Sequence, residues 1–288
     1  MSPLTAGNNR VKETHKLRRR AVRTERRLFL ADGPKAVEGA LGAGCVVEVF
    51  ATPAASERYA ALATRAPRLT LVDDRALAVL SDSVTPAGLV AVCSFVDVPL
   101  ATALDTSLDT GLDAGPDASP DTSPDTTLDA AGSRGRRAAL VALCAEVRDP
   151  GNAGTLVRTA DALGVDAVVL AGQSVDLYNP KTVRASVGSV FHLPVATEPD
   201  PAHAVRTAQE AGLRVLAADG AGEVLLDDAG ELLDGPTAWL FGNEAHGLPE
   251  ALTALADHRV RIRIRGGAES LNLATAAAIC LHESARRR

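Results

Sequence analysis

AALVALCAEVRDPGNAGTLVRTADALG (Ala138–Gly164) runs from an apolar stretch through a Pro/Gly/Asn turn into a helix-like pattern. Ala138–Val147 predicts a buried strand. Leu156, Ala160 and Leu163, at i, i+4 and i+7, predict the apolar face of a helix over Ala153–Leu163. Two later segments repeat the pattern, LFGNEAHGL (Leu240–Leu248) and IRIRGGAESLNLATAA (Ile262–Ala277). Turns of this composition at strand ends expose backbone groups to a ligand. The three segments carry Asn152, Arg158, Glu244, Ser270 and Asn272, which predicts one polar site at one edge of a sheet.

The flanking sequence continues the alternation. Strands are expected at Ala167–Ala171, Leu193–Thr197, Arg214–Ala218, Thr237–Phe241 and Val260–Ile264. Helices are expected at Lys181–Val187, Ala202–Ala211, Leu248–Ala256 and Leu271–Arg287. This is an α/β pattern with a mostly parallel sheet covered on both faces. The glycines of a dinucleotide-binding fold are missing: Gly220-Ala-Gly222 begins a GxGxxG match, but Leu225 stands at the third position. No GxxxxGK[ST] phosphate loop occurs either.

A different block precedes it. FLADGPKAVEGALGAG (Phe29–Gly44) reads as a short strand, a turn and a helix. Strand-like runs follow at Val46–Ala51, Leu69–Val72 and Leu89–Val96, with helix-like runs at Ala54–Arg65 and Arg75–Leu80. This predicts a small α/β domain with no catalytic constellation. Between the blocks, Leu104–Ala131 repeats a four-residue [Leu/Pro]-Asp-[Thr/Ala]-x unit seven times. Such a segment cannot bury enough apolar surface to order itself, and its like charges extend it. The expected organisation is therefore an N-terminal domain over 1–98, a disordered linker over 99–136 and a second domain over 137–288.

A chain of 288 residues is long enough for two cores. Its 46% hydrophobic content, with a mean hydropathy of +0.07, fits a globular protein, and no apolar stretch is long enough to cross a bilayer. The polar, basic start shows no secretory signal, so a cytoplasmic location is expected. Cys45, Cys93, Cys144 and Cys280 are widely spaced and form no CxxC pair, which predicts reduced thiols and no metal site.

The net charge of −6 conceals a local imbalance. The repeat holds seven of the 36 acidic residues, so the rest of the chain carries 30 basic against 29 acidic side chains. Residues 1–36 hold ten Lys and Arg against Glu13, Glu25 and Asp32. Arg18, Arg19, Arg20, Arg23, Arg26 and Arg27 are the core of this cluster. They are candidates for binding a nucleic-acid backbone, the alternative being a solvated, partly disordered tail.

Taken singly, each site residue has two readings. Asn152 is placed to cap the first helix after Pro150-Gly151. Arg158 lies about 200° around that helix from Leu156. It is either an exposed arginine paired with Asp161 or a guanidinium aimed at a phosphate or hydroxyl. Glu244 either complements the dipole of the next helix or serves the site. Ser270 is expected to cap the last helix, with Asn272 in its first turn, and His246 to be a loop residue without metal-ligand neighbours.

In combination, the segments resemble the three motifs of the SpoU (TrmH-like) family of RNA 2′-O-ribose methyltransferases in the SPOUT superfamily. The matching residues are Asn152-Ala-Gly154 with Arg158, then Gly242-Asn243-Glu244-Ala-His-Gly247, then Ser270-Leu271-Asn272 with Ala274 following. The match covers Ala138 to about Glu283, and Leu28–Val96 more weakly resembles the L30e-like substrate-binding domain often fused ahead of it. The Asp repeat lies outside the family pattern.

The resemblance implies a C-terminal trefoil knot, a homodimer through the catalytic domain, and S-adenosyl-L-methionine as cofactor. It places the cofactor against backbone groups around Leu240, Phe241, Gly242, Ile262, Ile264, Ser270 and Leu271. It implies methyl transfer to a ribose 2′-hydroxyl in structured RNA. Arg158 would contact the target ribose or its phosphate, Asn152 and Glu244 would orient Arg158, and Ser270 and Asn272 would fix the third turn. The L30e-like domain favours 23S ribosomal RNA over transfer RNA. A non-catalytic RNA-binding or ribosome-assembly factor on the same fold is the reading of another class, and loss of Arg158, Glu244 or Asn272 would have been its mark.

Overall fold

The computed structural model describes residues 2–105 and 140–288. The described residues form two units with separate sheets. The first takes in the described residues up to Asp97 together with Glu146–Ala162 and Gln173–Leu193. The second takes in the described residues of Val98–Ala145, with Leu163–Gly172 and Pro194–Arg288.

The first unit opens with α1 (Asn9–His15), a single 3-10 turn at Lys16–Arg18 and α2 (Arg20–Arg26). It continues through β1 (Leu28–Asp32), α3 (Pro34–Gly42), β2 (Val46–Ala51), α4 (Pro53–Arg58), α5 (Ala60–Arg65), β3 (Leu69–Leu71), α6 (Asp74–Leu80) and β4 (Leu89–Ser94). The sheet order is β1-β4-β2-β3, with β4 antiparallel to both neighbours and β2 parallel to β3. The single helix expected over Ala54–Arg65 breaks at Tyr59 into two.

The N-terminal segment is not a solvated tail. Val11 and Leu17 are buried in one cluster with Leu30, Phe50, Leu77 and Val90. Phe29, Phe95, Tyr178 and Phe191 form a second core of stacked and tilted rings, with Phe95 and Tyr178 centroids 3.8 Å apart. The Tyr178 hydroxyl donates to Asp97 Oδ1 at 2.6 Å and accepts the backbone N–H groups of Val96 and Asp97, both at 2.7 Å.

The second unit starts with α7 (Leu100–Leu104) and β5 (Leu140–Ala145). The expected linker therefore begins too early. Leu100 and Leu104, at i and i+4, give residues 100–104 an apolar face that is buried with Val141, Leu143 and Val169. The rest of the linker expectation, including all but the first two residues of the Asp repeat, lies outside the described residues.

Next in the chain come α8 (Pro150–Ala162), β6 (Ala167–Ala171), α9 (Pro180–Ser186), β7 (Val195–Glu198), α10 (Pro201–Glu210) and β8 (Arg214–Ala218). After these come β9 (Val224–Leu225), α11 (Gly230–Leu233), β10 (Thr237–Phe241), α12 (Glu250–Thr253), β11 (His258–Arg261) and α13 (Leu273–Ala285). Helices α8 and α9 belong to the first unit, whereas all seven strands β5–β11 form one sheet in the second.

That sheet has the order β7-β6-β5-β10-β8-β11-β9, and every pair is parallel. Alternation along β10 sends Ala238 and Leu240 to one face, where they pack with Val205 and Ala208 of α10 and Leu252 of α12. On the other face α13 packs along β10 and β5, and Trp239 Nε1 donates to Ser284 Oγ at 2.8 Å. No described helix is long and apolar enough to cross a membrane.

Candidate functional site

In a parallel sheet ligands gather where the strands end, because loops there leave backbone groups unpaired. The second unit has such a place. Asp219 follows β8, Phe241 ends β10, and Ile262 and Ile264 continue β11; together with Ser270 and Leu271 they enclose a cleft of about 280 Å³. Its floor is apolar and its rim carries Asp219, Glu244 and Glu269. None of the described residues that line it is Lys, Arg or His.

The loop after β10 closes on itself. Asn243 and Gly247 exchange backbone hydrogen bonds of 3.0 and 2.9 Å, and Asn243 Oδ1 accepts the N–H groups of Ala245 and His246. Gly247 sits at φ 66°, in the left-handed region. A Cβ on Gly242 would come within 2.4 Å of the Gly247 carbonyl carbon and 2.6 Å of Leu248 N. Gly242 is therefore required by the loop's own backbone as well as by any ligand beside it. Glu244 and His246 are exposed on this loop. Burial pushes the Cys144 thiol, at the end of β5, well above its usual range, and the Glu244 charge adds to the shift.

The third segment corrects one expectation. Asn272, not Ser270, caps α13: its side chain accepts from Ala274 N at 2.9 Å and Thr275 N at 3.3 Å. Ser270 lies two residues earlier, on the rim of the cleft. The chain enters the helix one residue before Leu273, so the cap falls to Asn272.

The first segment corrects another. Helix α8 begins at Pro150, so Asn152 is inside its first turn. Asp149 supplies the cap: its Oδ1 accepts Asn152 N at 2.8 Å and its Oδ2 accepts Lys181 Nζ at 3.1 Å. The Asn152 amide holds the Asp149 carboxyl below the usual range, with Lys181 adding to it. Farther along α8, Gly154 lets α9 approach: a Cβ there would meet Thr182 O at 2.4 Å and Ala185 Cβ at 2.6 Å. Arg158 is exposed and makes no ion pair among the described residues. Asp161, its expected partner, is bonded to His192 Nδ1 at 2.9 Å.

Of the residues expected around a cofactor, Phe241, Gly242, Ile262, Ile264, Ser270 and Leu271 line the cleft. Leu240 does not; its side chain is buried in the sheet core, because its neighbour Phe241 takes the opposite face. Asp219, Glu269 and Asn243 line it without having been expected. The Asp219-Gly220 turn was legible only as a failed dinucleotide fingerprint; Asp219 closes it by accepting Ala221 N at 2.9 Å.

The basic N-terminal cluster is largely spent on the protein itself. Arg23 is buried, and its Nη1 donates to Leu17 O and Arg18 O at 2.9 and 2.8 Å, while Nε reaches Asp176 Oδ2 at 3.1 Å. It is thus not a nucleic-acid ligand. Arg18 pairs with Asp82 at 2.6 Å, Arg26 with Glu13 at 2.9 Å, and Arg27 lies over the Phe95 ring at 4.5 Å. Arg19 and Arg20 are exposed and make no ion pair among the described residues. No group of three His, Cys, Asp or Glu among the described residues could hold a metal ion.

Residues 139–282 match the SpoU rRNA Methylase family, and residues 8–91 match the MRM3-like substrate binding domain. The chain is 31% identical over 281 residues to the 23S rRNA (guanosine(2553)-2'-O)-methyltransferase RlmP of Bacillus subtilis, covering 96% of each chain. A crystal structure of an AdoMet-bound rRNA methyltransferase from Sinorhizobium meliloti superposes with a TM-score of 0.77 at 30% identity, covering 99% of this chain and 97% of that one. The SpoU methyltransferase AviRb from Streptomyces viridochromogenes superposes with a TM-score of 0.76 at 28% identity, covering 98% of both. With its second and third motif segments gathered at the strand ends and a relative matched along nearly its whole length, the chain belongs to the SpoU rRNA methylase family.

Proposed function

We propose that this protein transfers a methyl group from S-adenosyl-L-methionine to a ribose 2′-hydroxyl of 23S ribosomal RNA. The observation that carries the reading is the cleft at the ends of β8, β10 and β11, bounded by the second and third motif segments. Its residues fit that cofactor. Phe241, Ile262, Ile264 and Leu271 offer apolar surface for a flat base. The carboxylates of Glu244 and Glu269, with no cationic side chain among the described lining residues, suit a molecule that carries a sulfonium and an ammonium. Its volume lies near the lower end of small-molecule sites, which run from roughly 300 Å³ upward.

The cofactor supplies an electrophilic methyl group; the protein's task is to present the hydroxyl. A ribose hydroxyl is a weak nucleophile near neutral pH and needs placement and charge relief. Arg158, exposed and without an ion-pair partner among the described residues, is the group offered to the RNA. A guanidinium stays charged, so it stabilises the developing oxyanion while a neighbouring RNA phosphate accepts the proton. The orienting roles of Asn152 and Glu244, and the loop-fixing roles of Ser270 and Asn272, belong to the same reading.

The reading extends to a cytoplasmic homodimer that binds structured RNA through residues 8–91 and needs no metal. It also includes a trefoil knot: β10 lies between β5 and β8, β11 lies beyond β8, and α13 then returns to pack on β10 and β5. Labelled cofactor mixed with unmodified 23S rRNA and transfer RNA transcripts tests the substrate. Incorporation into 23S rRNA alone is expected; transfer RNA labelling alone, or none, would overturn it.

A further inference from the structure

The segment Arg259-Val-Arg-Ile-Arg-Ile-Arg265 places an arginine at every second position and no acid between them. Its first three residues end β11, and the chain then runs on to the third motif. The alternation is sorted in space. Val260, Ile262 and Ile264 line the cleft, whereas Arg261, Arg263 and Arg265 are exposed and do not. In an extended chain alternate side chains share a side and stand roughly 7 Å apart.

The four arginines are not equivalent. Arg259 is held by Asp219, with Nε and Nη2 at 3.0 and 2.7 Å from Oδ2. Arg263 donates from Nε to Asp227 Oδ2 at 3.1 Å. Arg261 and Arg265 make no ion pair among the described residues. Two uncompensated guanidiniums therefore flank an anchored one, each a single residue from a side chain of the cleft.

Resting on the reading of the cleft above, we infer that Arg261 and Arg265 form a rail for the phosphate backbone of the substrate RNA beside the target nucleotide. The planar guanidinium fork matches phosphate oxygens in pairs. Two unpaired cations four residues apart suit the closely spaced charges of a polyanion. Contacts of this kind position RNA without reading its sequence. The row also supplies cationic surface in the second unit, where the cleft itself offers none.

The test is the salt dependence of affinity for an unmodified 23S rRNA transcript, with S-adenosyl-L-methionine binding measured in parallel by calorimetry. The double variant Arg261→Gln, Arg265→Gln should reduce the slope of log affinity against log salt by about 1.5, at roughly 0.7–0.9 for each phosphate no longer neutralised. Its cofactor affinity should match the wild type, and Arg261→Lys with Arg265→Lys should largely restore the slope. If the double variant loses cofactor binding, the single Gln variants replace it, each expected to lower the slope by about 0.8. A full slope in Gln variants that bind the cofactor normally would overturn the inference. A wild-type protein with no affinity for the transcript would overturn both the rail and the proposed function.

Discussion

Arg23 of α2, itself buried, and the half-buried Asp176 share an ion pair, with Nε and Nη2 of the guanidinium directed at the same carboxylate oxygen. The arginine side chain is 4% exposed and the aspartate 14%. Removing one member of such a pair strands the other charge. Arg23→Ala should therefore destabilise the protein by about 3–5 kcal/mol, measured by denaturant unfolding. Lys should not restore it, because Leu17 O, Arg18 O and Asp176 need separate donors on one planar fork. A change below about 0.5 kcal/mol, typical of surface positions, would contradict the assignment. Deletion of residues 1–27 would also remove Val11 and Leu17 from the core, so it cannot serve as a clean test of RNA binding.

Gly154 is a packing residue. A methyl group there must push α8 and α9 apart, since Thr182 O and Ala185 Cβ would lie at 2.4 and 2.6 Å. Gly154→Ala should cost about 1–3 kcal/mol despite the helix-favouring substitution. Thermal unfolding checks it; a raised melting temperature would show that the helices give way freely.

The caps give a paired comparison. Asn272→Ala should lower stability by about 1 kcal/mol, because two first-turn amides of α13 lose their acceptor. Ser270→Ala should leave stability nearly unchanged, while cofactor binding reports any role on the rim. Equal stability losses for the two would restore Ser270 as a cap.

Asp149 predicts an acid-side effect. Its folded pKa is depressed by the Asn152 amide and by Lys181. The stabilisation is thus fully present above the unfolded pKa and is lost as pH falls through the folded value. Asp149→Asn should remove this pH dependence and leave a protein whose stability differs from wild type more at neutral pH than at acid pH. Denaturant midpoints across that range would read it, and parallel curves for the two proteins would rule it out.

Much of the second sheet was legible because its strands are apolar on both faces. Ala167–Ala171, Arg214–Ala218 and Thr237–Phe241 match residue for residue. Strand β9 has only two residues and leaves no periodic signal. The two caps were misread by three and two positions, although Asp149-Pro150 carries the proper signature of a cap followed by proline at the first helical position. The basic segment misled for a different reason. The partners of Arg18 and Arg23, Asp82 and Asp176, are 64 and 153 residues away, and no local pattern shows that these charges are already matched. Conversely, Arg261 and Arg265, which make no ion pair among the described residues, are recognisable only once alternate residues are seen to line a cleft.

If Arg158 directs the methyl group to a ribose oxygen, the RNA product records it chemically. Methylation of a 2′-hydroxyl removes the nucleophile of alkaline RNA cleavage, so the modified linkage resists base. A 23S rRNA transcript treated with protein and cofactor should acquire one alkali-resistant linkage. Arg158→Ala, and Arg158→Lys with it, should bind cofactor within a few-fold of wild type and leave that linkage cleavable. Methyl groups found only on bases, or an Arg158→Ala protein that protects the linkage as wild type does, would overturn the role assigned to Arg158.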